Sequence, residues 1–300
     1  MGSKKHRLQI WLEYAVAFAL VQLLRRLPWS GANFAARAVT RVLDRAAPRM
    51  RQVAQKNLSC ALPALSPEQR GRIADGVFES IARLLVALAR FPSLNRSNIS
   101  EWIRYEGLEH YQAAKRKGRG VLIATAHLGN WELSAFGHAL LTEPMDVMVR
   151  PLDNPLIDRL VARRRTLSGN RLIDKRDAAR AVLKSLRKNS AVGILIDQNT
   201  AASEGVFVDF FGVRACAGTG LVKLAHHSGA PVILGFALWE ERSRRYVLRF
   251  YPPLEMTGDV AADTQRLHSR LEAVIREYPD QWMWIHRRWK TRPSGEPRFY

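Results

Sequence analysis

From Arg104 onward, short apolar runs rich in β-branched residues alternate with stretches of helical periodicity. This alternation constrains the fold more than any other feature of the chain. Residues 121–125, 145–149, 191–196, 206–211, 232–239 and 246–251 read as strands. Helices are expected over 108–117, from 131 onward, and over 154–168, 178–188, 218–228 and 261–277. Such an order predicts an α/β fold: a mixed, largely parallel central sheet flanked by helices. In sheets of this kind, ligands gather beyond the carboxyl ends of the strands. His127 and Asp197 each follow directly on a predicted strand.

The first hundred residues have a different texture. A segment rich in Ala and Arg over 31–59, interrupted at Pro48, reads as helix. Ser66-Pro67-Glu68 marks a further helix start with proline at the first position, and that helix is expected to run to Arg90, ahead of Phe91-Pro92. Upstream, residues 8–24 are mostly apolar but contain Glu13 and Gln22, with a basic stretch before them and Arg25-Arg26 after. The segment is short for a membrane span of about 20 residues and has no small-residue cleavage site. It suits an in-plane anchor or a marginal span, with a soluble amphipathic helix packed on the domain as the alternative. The expected organisation is an anchor over 1–27 and one domain over 28–300. Within that domain, 28–103 is a helical subregion and 104–300 the α/β core.

The chemistry concentrates at His127 and Glu132. On one continuous helix a spacing of five would separate them by well over about 100°. Here Gly129-Asn130 lies between, so His127 sits outside the helix that starts at Trp131, with Asn130 as its N-cap and Glu132 in its first turn. A carboxylate on one imidazole nitrogen would fix the tautomer and leave the other nitrogen to accept a proton. Spacing alone equally allows a core histidine beside an ordinary capping acid.

A net charge of +20 points to polyanionic partners: nucleic acid, an anionic membrane surface or acidic substrates. Cys60 and Cys216 are too far apart in sequence to suggest a disulfide framework or metal site. A Gly-x-Ser-x-Gly elbow and a phosphate-binding Gly-x-x-x-x-Gly-Lys loop are both missing. Gly218-Thr219-Gly220 begins like a dinucleotide fingerprint, but Lys223 stands where the third glycine belongs. His226-His227 would point in different directions on a helix, which argues against a metal site there. Arg159, Arg163, Arg164, Arg165, Arg171 and Lys175-Arg176 form a basic run, most of it expected to be a solvated face. The run also borders the approach to the two strand ends, where a guanidinium fork would meet phosphate. Residues 281–290 interleave tryptophan with basic groups, a mixture that suits either base stacking or a lipid headgroup interface.

Taken together, these residues resemble the late acyltransferases of lipid A biosynthesis, the lauroyl/myristoyl transferase family of Gram-negative bacteria. His127-Leu128-Gly129-Asn130-Trp131-Glu132 matches the family's His-x4-acid motif. Val149-Arg150-Pro151, Asp153-Asn154-Pro155-Leu156-Ile157-Asp158, Asp197-Gln198, Phe207 to Gly212 and Ala230-Pro231-Val232 follow in family order. Pro279 to Pro293 is similar to its closing signature, so the resemblance spans essentially the whole chain. It implies a glycerolphosphate-acyltransferase-like fold with a membrane-anchoring N-terminal helix. His127 would be the general base and Glu132 the carboxylate orienting it. Arg165, or Arg164 one position earlier, would be the active-site arginine. Asp197 and Gln198 would line the acceptor site, and Arg150 would meet a phosphate or the oxyanion. Asn199-Thr200 depart from the acid and glycine that relatives often carry after Asp-Gln.

The resemblance further implies direct transfer in one ternary complex. His127 would deprotonate a hydroxyl of a phosphorylated glycolipid, and that oxygen would attack the thioester of acyl-acyl carrier protein, or alternatively acyl-CoA. Backbone amides or an arginine would stabilise the oxyanion, and apolar cleft residues would gauge chain length. No metal or cofactor is required. Carrier protein, glycolipid and the anionic cytoplasmic face of the inner membrane would account for the positive charge. Other readings are a related acyltransferase for another glycolipid or an aminolipid, a catalytically dead membrane scaffold, and a nucleic-acid-binding protein. The last leaves the apolar N-terminus unexplained, so nucleic acid is not expected as a partner.

Overall fold

The computed structural model describes residues 7–175 and 178–300, so the basic stretch before Arg7 and Arg176 of the arginine run lie outside the described residues. Helices α1 (Arg7–Arg26), α2 (Trp29–Ala46), α3 (Pro48–Ala61) and α4 (Pro67–Arg90) form the helical N-terminal region. Pro48 ends the second helix and opens the third, because proline has no amide to continue the ladder but suits a first turn. Ser66 caps α4 in a reciprocal box with Gln69, as the Ser-Pro-Glu start suggests.

The α/β part follows in the order β1 (Ile103–Glu106), α5 (Leu108–Lys115), β2 (Val121–Thr125), α6 (Trp131–Leu141), β3 (Asp146–Val149), α7 (Pro155–Arg165), β4 (Arg171–Asp174), α8 (Ala178–Arg187), β5 (Ala191–Leu195), β6 (Gly205–Phe210), β7 (Val213–Gly218), α9 (Gly220–Ser228), β8 (Val232–Glu240), β9 (Arg245–Phe250) and α10 (Val260–Glu277). Seven strands form one sheet in the order β1-β9-β8-β2-β5-β3-β4. Among the described residues of this sheet only the β8/β9 pairing is antiparallel, as expected of a mixed, largely parallel sheet. The remaining two strands, β6 and β7, make a separate hairpin.

Three strands depart from the sequence expectation. β1 is a four-residue edge strand with alternating burial that carries Arg104 and Glu106. β4 holds Arg171, whose guanidinium pairs with Asp146 across the first register pair of β3/β4. Arg171 therefore sits at the amino ends of the strands, opposite the end that carries His127, and not at the approach to the site. β7 takes the segment before Gly218, so α9 begins at Gly220 and not at Gly218.

The sheet separates two cores. One is shared by β2, β5, β8 and the tryptophans Trp282, Trp284 and Trp289, which are nearly or fully buried. These tryptophans thus neither stack bases nor line a membrane surface. Each indole N–H finds an internal acceptor, on Asp197, Pro279 O and Val213 O respectively, so the rings can be buried without an unpaired donor. A smaller cluster joins Leu24 of α1 and Ala32 and Ala36 of α2 to Ala82, Val86 and Ala89 of α4.

Candidate active site

β2 and β5 are parallel neighbours, and Thr125 is paired in register with Leu195. Two residues beyond each partner stand His127 and Asp197, so the register itself brings them side by side. Asp197 accepts from the His127 amide (3.0 Å) and the Trp282 indole Nε1 (2.9 Å) through Oδ2, and from His127 Nδ1 (3.0 Å) through Oδ1. A carboxylate can only accept, so Nδ1 carries the proton and Nε2 is left as the acceptor. Burial pushes the His127 pKa down, but the charge and hydrogen bond of Asp197 more than offset it, with Glu132 adding to the pull. The net direction is up. Asp197 resists the upward push of burial and is held far below the usual carboxylate range by His127 and the Trp282 indole.

The turn between His127 and α6 is built for close approach. Gly129 has φ +64°, and a Cβ there would stand 2.0 Å from the Ala237 carbonyl oxygen. Asn130 then caps α6, its side chain accepting from Leu133 N at 2.9 Å. A strap from the C-terminal region locks the turn from the other side. Gly129 N donates to Gln281 O and Met283 N donates to His127 O. The Trp131 ring packs edge-on against the imidazole, with centroids 4.9 Å apart.

Glu132 takes a different partner from the one expected. Its carboxylate faces Arg165 of α7 in a side-on pair, Nε to Oε2 at 2.8 Å and Nη2 to Oε1 at 2.6 Å. The first turn of α6 points Glu132 toward α7, while β5 delivers Asp197 to the imidazole, so the carboxylate on His127 Nδ1 is that of Asp197 and not that of Glu132. Arg165 keeps a pKa above its ordinary value: burial lowers it, and the Glu132 pair more than compensates. Its Nη1 has no protein acceptor among the described residues.

A cleft of about 540 Å³ opens over this cluster. Its mouth is polar, lined by His127, Glu132, Arg150, Arg165, Lys175, Gln198, Asn199 and Thr200. Its inner end runs between the sheet and α6 and is mainly apolar, lined by Ile123, Phe136, Met145, Val147, Gly193 and Phe250. Of the residues singled out in the sequence, His127, Glu132, Arg150, Arg165 and Gln198 reach the cleft, and Asp197 lies buried behind His127. Arg164 does not reach it. It is buried on another face of α7, where burial and Arg25 lower its pKa and Tyr14 partly offsets them. The sequence gives no local cue to Trp282 as a site residue, because its contact with Asp197 spans 85 positions. Asn199 is tied by its amide to His286 Nε2 and by its side chain to Thr291.

The model of the bacterial lipid A biosynthesis acyltransferases matches residues 2–291. This chain belongs to that family. As a lipid A biosynthesis acyltransferase it is similar to the Escherichia coli lipid A biosynthesis palmitoleoyltransferase, 31% identical over 84% of this chain and 82% of that protein. It is also similar to the E. coli lipid A biosynthesis lauroyltransferase, 29% identical over 97% of this chain and 94% of the relative. A Haemophilus influenzae lipid A biosynthesis acyltransferase is 28% identical over 83% of this chain and 79% of its own length. The protein is an acyltransferase, and its cleft joins a polar mouth that carries His127 to an apolar interior.

Proposed function

We propose that this acyltransferase transfers a fatty acyl chain from an acyl-acyl carrier protein thioester to a hydroxyl of a phosphorylated lipid A precursor, at the cytoplasmic face of the inner membrane. The observation that carries the reading is the His127–Asp197 hydrogen bond, which leaves Nε2 free at the polar mouth of an apolar cleft. His127 Nε2 takes the proton of the acceptor hydroxyl as its oxygen attacks the acyl carbon. Asp197 fixes the tautomer and stabilises the imidazolium that forms. The C–O ester bond forms, the C–S bond breaks, and the imidazolium returns its proton to the departing thiolate. Glu132 holds Arg165 at the cleft mouth, and Arg165 and Arg150 meet the anionic groups of the glycolipid. The chain of the donor lies in the apolar inner end.

Membrane association is supported by α1, a helix long and apolar enough to cross a bilayer. One side of α1 packs on the domain: Leu24 is buried, and Asn154 donates to Ile10 O and to Glu13 Oε2. The other side exposes Leu8, Trp11, Leu12 and Val16, beside exposed Phe34 and Val42 of α2. Arg25 and Arg26 at the end of α1, and Arg37, Arg41 and Arg45 on α2, are exposed cations for an anionic leaflet.

The test is mass spectrometry of a tetra-acylated, phosphorylated disaccharide incubated with the protein and acyl carrier protein thioesters of several chain lengths. A single acyl increment, lost in His127→Ala, is expected. No increment with any thioester would direct attention to acyl-CoA and to other glycolipid or aminolipid acceptors.

A further inference from the structure

The acyl oxygen must be stabilised as negative charge builds on it, and the amides near the base are largely committed. Those of His127, Gly129, Asn130, Leu133 and Ser134 already donate to Asp197, Gln281 O, Ala237 O, the Asn130 side chain and Asn130 O respectively.

The alternation of β2 points to another donor. Leu122, Ala124, Ala126 and Leu128 face the core on one side of the sheet. Ile123, Thr125 and His127 line the cleft on the other. A single strand face thus presents, from inside outward, an apolar wall, a hydroxyl and the base. Successive members are spaced by about 6.6 Å along the strand. Thr125 Oγ1 is buried and has no hydrogen-bond partner among the described residues. A buried hydroxyl left unpaired forfeits its hydration with nothing in return, so one on a substrate cleft calls for a ligand that satisfies it.

We propose that the Thr125 hydroxyl is a catalytic residue that donates a hydrogen bond to the acyl carbonyl oxygen of the donor thioester. The assignment rests on the acyl-transfer reading above. With the chain along Ile123 and the acceptor hydroxyl at His127 Nε2, the reacting carbon sits between them, beside Thr125. As the acceptor oxygen bonds to that carbon, the carbonyl π pair moves onto oxygen. The Thr125 O–H bond strengthens this state more than it does the neutral thioester. When the oxygen's electron pair returns, the C–S bond breaks and the thiolate takes the proton held on His127. Thr125 keeps its own proton throughout.

The experiment compares Thr125→Val, Thr125→Ser and His127→Ala in full-length protein, with acyl carrier protein thioesters and the phosphorylated disaccharide acceptor. Valine replaces the hydroxyl with a methyl of similar shape. It is expected to lower kcat by about 10²-fold, in line with the loss of one oxyanion donor, while leaving the thermal midpoint unchanged or raised, because no bond of the free protein is lost. Serine is expected to restore most of kcat. Wild-type kcat in Thr125→Val overturns the assignment, as does a loss of activity that tracks a lowered midpoint and is not rescued by serine. If the unsubstituted protein transfers no chain, the proposed donor and acceptor are wrong, and the assignment, which rests on them, falls with them. If it transfers and Thr125→Val does so equally, only the assignment fails.

Discussion

Arg165 grips both oxygens of Glu132 side-on, at 2.8 and 2.6 Å, with both side chains mostly buried. The pair ties the first turn of α6 to the last turn of α7 across the mouth of the cleft. Removing one member strands the other's charge in a partly dry site, which typically costs about 3–5 kcal/mol. Glu132→Ala is expected to lose stability near the low end of that range in denaturant unfolding, and to reduce acyl transfer by roughly 10²-fold or more through misplacement of Arg165. Removing both charges in Glu132→Ala/Arg165→Leu should recover part of the stability but not the activity. Additive stability losses would mean that the pair is not energetically coupled.

His127 titrates above its ordinary value of 6.5, because the charge and hydrogen bond of Asp197 outweigh burial. A base must be unprotonated, so kcat/KM is expected to fall as pH drops through this raised pKa. In Asp197→Asn the carboxylate charge is gone and burial dominates, so the acid limb should move to lower pH. The plateau should fall by roughly 10²-fold or more, because imidazolium stabilisation is lost. A pH–rate profile of both proteins checks the sign; a limb that moves upward, or stays still, would remove Asp197 from the mechanism.

His127→Ala is expected to abolish transfer while leaving the fold intact. The backbone around it is held independently, by the His127 amide to Asp197 and by Met283 N to His127 O. Circular dichroism and thermal melting alongside the glycolipid mass spectrum separate the two effects. Normal turnover would sink the general-base role.

The outward apolar ridge of α1 should carry membrane binding without carrying the fold. Trp11→Ser with Leu12→Ser alters two exposed residues and leaves buried Leu24 and the Asn154 contacts untouched. Flotation with vesicles containing anionic lipid is expected to show weaker binding, while activity toward detergent-solubilised substrate persists. Unchanged flotation would place the membrane contact elsewhere on the molecule.

The legible parts of this protein are the local ones. The β2–turn–α6 unit, with the Asn130 cap, follows from a β-branched run, a Gly-Asn turn and an apolar helix, all within a few residues of one another. The α4 start at Ser66-Pro67 is equally local. β1 and β4 escape notice because each is four residues long and polar enough to read as loop. The partner of His127 is hidden for a related reason. Glu132 is five residues away and Asp197 seventy, and only the β2/β5 register reveals that the distant carboxylate is the adjacent one. Arg164 and Arg165 are neighbours in sequence, but helical geometry turns one toward α1 and the other toward the cleft. The C-terminal tryptophans mislead because aromatic and basic alternation looks the same whether a segment is exposed or threaded through a core.

The His127–Asp197–Trp282 relay joins residues 70 and then 85 positions apart. A ribosome must therefore synthesise nearly the whole chain before the base has its carboxylate and the carboxylate its indole. The segments offered for membrane contact, α1 and α2, emerge first. A nascent chain can thus present α1 and α2 while the His127–Asp197–Trp282 cluster is still unassembled, and the cluster is completed only when the last strap closes over the turn.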